Sequence, residues 1–133
     1  MEDMVAFFES DAFAQYLGIE LMEASEGRAK ARLEVKQIHL NSHKTVHGGV
    51  LFALADAVFA VASNSYGTAA LAIHADISYF KAVTEGILTA EAQELSRSKK
   101  LANYSIKISD DRGNVVSAFQ GMVYRKEKSP VQK

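Results

Sequence analysis

The chain has 133 residues, 48% of them hydrophobic and 23% charged, with a formal net charge of −1. That length fits one domain with a sizeable core, the composition is that of a soluble globular protein, and the near-neutral charge gives no global pull toward nucleic acid or an anionic membrane. The absence of cysteine excludes disulfides, thiolate catalysis and cysteine-ligated zinc, and fits a reducing cytoplasm, where the protein is expected.

Residues 3–17 (DMVAFFESDAFAQYL) place Val5, Phe8, Ala12 and Tyr16 near helical spacing, with Phe7, Ala14 and Leu17 widening the apolar face. This predicts an amphipathic helix, broken near Ser10 and stopped at Gly18. The apolar run at the start is too short for a signal peptide. Residues 19–25 read as a strand with Ile19, Leu21 and Glu23 on alternate positions. Residues 28–35 (RAKARLEV) alternate Ala29, Ala31, Leu33 and Val35 against charged neighbours, a strand with one wet face. Glu26-Gly27 joins the two as a hairpin.

Residues 36–47 are polar and irregular, a loop. It leads into residues 48–67 (GGVLFALADAVFAVASNSYG), in which 50–62 are apolar except for Asp56. This predicts a buried helix ending near Asn64–Gly67. A carboxylate in such a segment loses water and needs partners. The run is too short to span a bilayer, which takes about 20 residues.

Leu71, Ile73, Ala75, Ile77 and Tyr79 alternate through 71–82, a third strand. Residues 87–96 follow the Glu85-Gly86 turn, and 101–109 put Tyr104, Ile106 and Ile108 at period two. DDRGN (110–114) is a hairpin turn, and 115–124 close the sheet with a bulge or bend at Gly121. The order is helix, two strands, buried helix, four strands. The economical architecture is a single α+β domain over residues 1–133, with one long apolar helix packed into a curved antiparallel sheet. Residues from about 126 onward, which hold the lone Pro130, read as a solvated tail.

The start of the central helix carries the chemistry. The first N–H groups of a helix have no intrahelical partner and sit at the positive end of its dipole. Gly48 and Gly49 there suit a backbone cradle for a carbonyl oxygen as charge develops on it. The competing reading is a loop-to-helix transition that needs unusual φ/ψ. For Asp56, the competing reading is a structural buried carboxylate. Asp56 lies eight residues after Gly48, about 12 Å along the axis and about 80° around it. One reacting group cannot easily meet both within one chain. If both act on it, they come from two chains of a two-fold dimer with antiparallel central helices.

Asn41, His47-Gly48-Gly49 and Leu54-Ala55-Asp56 resemble the hotdog-fold acyl-CoA thioesterases, most closely the PaaI-type branch of phenylacetate degradation. The similarity extends through 60–67 (AVASNSYG) and 76–81 (DISYFK) and covers nearly the whole chain. It implies a hotdog fold, with the helix wrapped by the sheet behind an N-terminal helix, and dimers that pair into tetramers. It also implies hydrolysis of an acyl-CoA, of aryl-acetyl or medium size, to free acid and coenzyme A without a separate cofactor or metal. By the same resemblance Asp56 is the catalytic carboxylate, as general base or nucleophile, and Gly48 offers its N–H to the thioester carbonyl. Asn41 and His47 position the carbonyl, the water or the helix entry. The chain departs from the pattern where some relatives carry a water-orienting Ser or Thr, since Ala72, His74 and Ala75 stand there. It departs again where Lys81-Ala82 replaces a common Arg-Pro.

Phe52, Val58 and Phe59 are candidates for the acyl pocket. The stripe Phe52, Phe59, Tyr66 otherwise reads as core. The basic turn SRSKK (96–100) offers Arg97, Lys99 and Lys100 to the coenzyme A phosphates, against a default reading of a solvated hairpin. His39, His43 and His47 recur every four residues, but a loop without cysteine makes a metal site the weaker reading. The other functions considered are a hotdog dehydratase or hydratase and a non-catalytic acyl-CoA-binding protein. No nucleic-acid or membrane partner is expected.

Overall fold

The computed structural model describes residues 2–126, so the expected tail, apart from Lys126, lies outside the described residues. Two short helices open the chain, α1 (Glu2–Glu9) and α2 (Ala12–Leu17). They part at the predicted break, where Asp11 caps α2 by accepting the Ala14 N–H at 3.0 Å. Gly18 closes α2 at φ 86°, a conformation that side chains with a Cβ avoid.

Strand β1 (Glu20–Ser25) pairs antiparallel with β2 (Arg28–Glu34). A bulge between Leu21 and Glu23 shifts the phase of β1. Leu21 and Ala24 therefore turn to the core and Glu23 does not, which corrects the expected alternation. In β2 the alternation holds, with Ala29, Ala31 and Leu33 buried.

After β2, a short 3-10 turn (Gln37–His39) stands where only loop was expected. Helix α3 (Gly48–Asn64) follows, then β3 (Ala70–Tyr79), β4 (Ile87–Arg97), β5 (Leu101–Ser109) and β6 (Val115–Arg125). The six strands form one antiparallel sheet in the order β1-β2-β4-β5-β6-β3. The DDRGN turn between β5 and β6 is held by Asp110 Oδ1, which accepts from the N–H groups of Arg112 and Asn114.

The sheet wraps α3, which packs against all six strands. Leu54, Val58, Phe59 and Val61 of the helix meet Leu33, Leu88, Ile106 and Phe119 of the strands in one core, each such side chain contributing about 1.5–3 kcal/mol by burial. This is the expected α+β hotdog arrangement. Gly121 carries no bulge, since β6 pairs in register through it with both β3 and β5. A Cβ there would fall 2.6 Å from the Phe59 ring, so the glycine makes room for the helix. Val58 and Phe59 thus belong to the core and not to an acyl pocket, and Tyr66 lies beyond the helix end. Among the described residues, no helix is long and apolar enough to cross a membrane.

Candidate active site

The entry to α3 is tied down by His39, which is fully buried. Its Nε2 bonds the Leu17 carbonyl at 2.8 Å, its Nδ1 accepts the Lys36 N–H at 2.8 Å, and its own carbonyl accepts the His47 N–H at 2.8 Å. With Nδ1 accepting, the ring proton sits on Nε2. One residue thereby links the end of α2 and the start of the loop through its ring, and the first cap of α3 through its backbone carbonyl. His43 and His47 are not drawn to it, and among the described residues no three His, Asp or Glu side chains converge as metal ligands would.

Asn41 closes the loop that precedes the helix. Its Oδ1 accepts from the His43 N–H (2.9 Å), the Thr45 N–H (3.2 Å) and the Thr45 hydroxyl (3.3 Å). Three donors on one oxygen fix which end of the amide is which. The Nδ2 group has no partner among the described residues and remains a donor for a ligand.

His47 is the N-cap of α3. Its Nδ1 accepts the Gly49 N–H at 2.8 Å, so the Gly49 donor is already used. The Gly48 N–H has no acceptor among the described residues, and of the two glycines it alone offers a free donor. Both lie in the helix and neither has a positive φ, so unusual backbone angles do not explain them. Gly48 is instead crowded by Tyr79, whose ring would lie 3.1 Å from an added Cβ, and Gly49 by the His47 ring at 3.0 Å.

Two separate pockets flank this helix. One, of about 380 Å³, gathers Asn41, Thr45, Gly48, Leu51, Tyr79 and Lys81. The other, of about 310 Å³, gathers Asp11, Phe13, Gly49, Phe52, Ala53 and Asp56. Asn41 and Gly48 are thus brought together, Asp56 is placed apart from them, and Phe52 is the one acyl-pocket candidate beside the carboxylate.

Asp56 is not buried within the chain, as the apolar run suggested. It is exposed, on the stripe of α3 that the sheet leaves open, with Gly49, Phe52, Ala53 and Ala60. Even so, partial loss of water in the crevice beneath α2 raises its pKa above the ordinary 3.8, and the neighbouring Asp11 carboxylate adds to the rise.

Lys81 bonds the Asp110 carboxylate, and this bond, more than the turn N–H groups, holds the Asp110 pKa down to about 2. The lysine standing for the common arginine is therefore a tie between the β3–β4 connection and the β5–β6 turn. Arg97 is also engaged: it stacks 4.0 Å over Tyr66 and contacts Glu94 at 3.4 Å. Glu94 in turn accepts from the hydroxyls of Tyr66 and Tyr104. This network stands beyond the C-terminal end of α3. The 17-residue helix separates it from Gly48 by about 25 Å within the chain. Lys99 and Lys100 are exposed in the adjoining turn.

Sequence reasoning missed Tyr79, Asp11 and His39. Asp11 carried a legible signal, a carboxylate before a helix. Tyr79 looked like one more alternating strand residue, and nothing local marks a histidine that bonds a carbonyl 22 positions away.

Comparison with known proteins follows the same lines. A family model described as the thioesterase superfamily matches residues 43–117, which include Gly48 and Asp56. The acyl-coenzyme A thioesterase PaaI of Escherichia coli K12 is 39% identical over 121 residues, covering 90% of this chain and 86% of that protein. The solved structure of the E. coli PaaI protein from the phenylacetic acid degradation operon superposes with a TM-score of 0.92 at 36% identity, covering 96% of this chain and 94% of that one. A point mutant of the phenylacetic acid degradation protein PaaI from Thermus thermophilus superposes with a TM-score of 0.84 at 36% identity, over 87% of this chain and 100% of that one.

Proposed function

The chain belongs to the thioesterase superfamily, and from that membership we propose that it hydrolyses acyl-CoA thioesters, of aryl-acetyl or similar medium size, to free acid and coenzyme A. The observation that carries the proposal is the unpartnered Gly48 N–H at the positive end of α3, beside the unpartnered Asn41 Nδ2, with an ionisable Asp56 farther along the same helix. The E. coli relative bears the name of an acyl-coenzyme A thioesterase, which supports the substrate class.

In this reading the thioester oxygen accepts the Gly48 N–H, with the Asn41 amide as a second donor, and the developing negative charge rests at the helix N-terminus. Asp56 either takes the proton from the attacking water or attacks the carbonyl carbon itself, and in both cases it acts ionised. The tetrahedral intermediate collapses with loss of the coenzyme A thiolate, a leaving group that needs no strong acid. Where Asp56 is the attacking group, this leaves an acyl anhydride on Asp56, which water then hydrolyses to the free acid and the regenerated carboxylate. His47 serves by capping the helix.

The two halves of the site come from two copies of the chain. On one chain Gly48 and Asp56 face pockets that share no lining residue. Strand β3 lies at the sheet edge, paired only with β6 among the described strands, and it leaves Leu71 and Ile73 more than half exposed. A ten-residue open edge of this kind is a template for another strand. Pairing β3 with its copy about a two-fold axis sets the two α3 helices antiparallel and makes two identical sites. Whether two such dimers join is a matter for sedimentation.

The test is a panel of acyl-CoAs with a thiol-trapping dye, run on the wild type and on Asp56→Ala. The wild type should release thiol and the variant should lose about 10²–10⁴-fold in rate. Undiminished release by the variant would remove Asp56 from the chemistry, and binding without turnover by the wild type would favour an acyl-CoA-binding protein.

A further inference from the structure

The peptide unit joining Gly48 to Gly49 is held at both ends. Its N–H donates to His47 Nδ1 at 2.8 Å, and its C=O accepts the Tyr79 hydroxyl at 3.1 Å. The same two side chains fill the space left by the missing Cβ atoms. A methyl on Gly48 would meet the Tyr79 ring carbon Cζ and the hydroxyl oxygen at 3.1 Å, and one on Gly49 would meet His47 Nδ1 at 3.0 Å. Two adjacent glycines are otherwise among the loosest stretches a backbone can contain. Here they are loose by composition and gripped by their surroundings.

The backbone of Tyr79 is well anchored, and its half-exposed side chain reaches from there to the helix start. Tyr79 ends β3 in register with Ser117 of β6, and the buried Ser117 hydroxyl donates to the neighbouring Ser78 carbonyl at 2.7 Å. The grip on the helix start therefore comes from the sheet, while the His47 grip comes from the helix's own cap.

We infer that Tyr79 is a positioning residue for catalysis: its hydroxyl holds the Gly48 carbonyl and its ring packs against Gly48, and together they fix where the first residue of α3, and with it the Gly48 N–H, sits relative to the sheet. Donors aimed in advance at the developing oxyanion act in the transition state without reorganising. The N–H itself belongs to the His47–Gly48 peptide, whose carbonyl accepts from the Val50 and Leu51 N–H groups; Tyr79 secures the other side of Gly48, so the residue that carries the donor cannot drift away from the oxyanion. Tyr79 does not react. It keeps the residue that carries the donor in place, and the glycines leave room for both clamping side chains, which a Cβ at either position would press at 3.0–3.1 Å.

This inference rests on the hydrolase reading, and Tyr79→Phe tests it because it deletes the hydroxyl and keeps the ring. With phenylacetyl-CoA as substrate, kcat should fall about 3- to 10-fold, the worth of one hydrogen bond. KM should stay within about a factor of two, because the loss is felt in the transition state. Tm should be unchanged, and the Gly49 amide should exchange faster with deuterium. An unchanged kcat, or a higher KM at unchanged kcat, overturns the inference while leaving the hydrolase reading intact. A fall in Tm of several degrees makes the hydroxyl a structural bond and also overturns it. A wild type that releases no thiol from any acyl-CoA of the panel overturns the hydrolase reading and the inference together.

Discussion

In the proposed reaction Asp56 sits at a compromise between folding and chemistry. Its pKa is raised in the folded chain, first by loss of water and then by Asp11. The folded state therefore holds the proton more tightly than the unfolded state, and stability falls as pH rises through the window above 3.8. Removing the titration removes that loss. Asp56→Asn should melt at or above the wild-type temperature at pH 7, and the difference should close below pH 3.8. Calorimetry at the two pH values checks this, and a variant less stable than wild type at pH 7 would contradict it. On the proposed mechanism, in which the carboxylate acts ionised, the wild-type rate should decline on the acid side with an inflection above 3.8. At this scale the sequence revealed that Asp56 and Gly48 are unusual. It did not reveal that Tyr79 and His47 pack against the two glycines, because the Tyr79 contact comes from a strand end 31 positions away.

The helices and strands were largely legible, since each follows from a period. The alternation of β2, the period-two apolar residues of β5 and the apolar run of α3 are local patterns that tertiary packing left intact. The bulges in β1 and β3 were not legible, because register is decided by the partner strand. Gly121 shows the same limit: a glycine inside a strand suggested a bulge, and the cause is the Phe59 ring of α3 lying against it. Gly121→Ala would bring a methyl to 2.6–2.9 Å from three atoms of that ring, and should destabilise the chain by about 1–3 kcal/mol through overpacking. Denaturant unfolding measures this. A variant as stable as wild type would show that Phe59 can move aside at no cost, and would loosen the picture of α3 seated firmly in the sheet.

Across the whole molecule, the question is how one small chain builds a site from groups that it holds apart. The helical spacing of Gly48 and Asp56 already implied two chains, and the separate pockets agree with that spacing. Which surface would join the copies in the proposed dimer was not legible, because an edge strand and an interior strand share the same alternation. Only the strand order leaves β3 open and Leu71 and Ile73 uncovered. The decisive measurement is complementation between two inactive variants. Asp56→Asn removes the carboxylate. Gly48→Pro removes the N–H at the first helical position, where proline is well accepted and where His47, at φ −60° and ψ 135°, already has the conformation that precedes one. The new Cβ also presses on the Tyr79 ring at 3.1 Å, which adds to the loss at that half of the site. Each variant alone should release almost no thiol from phenylacetyl-CoA. Exchanged at equal ratio, half of the dimers are mixed and each holds one intact site, so activity should return to about a quarter of wild type. If the mixture is no more active than its two parents, Gly48 and Asp56 do not meet across an interface and the shared site is wrong.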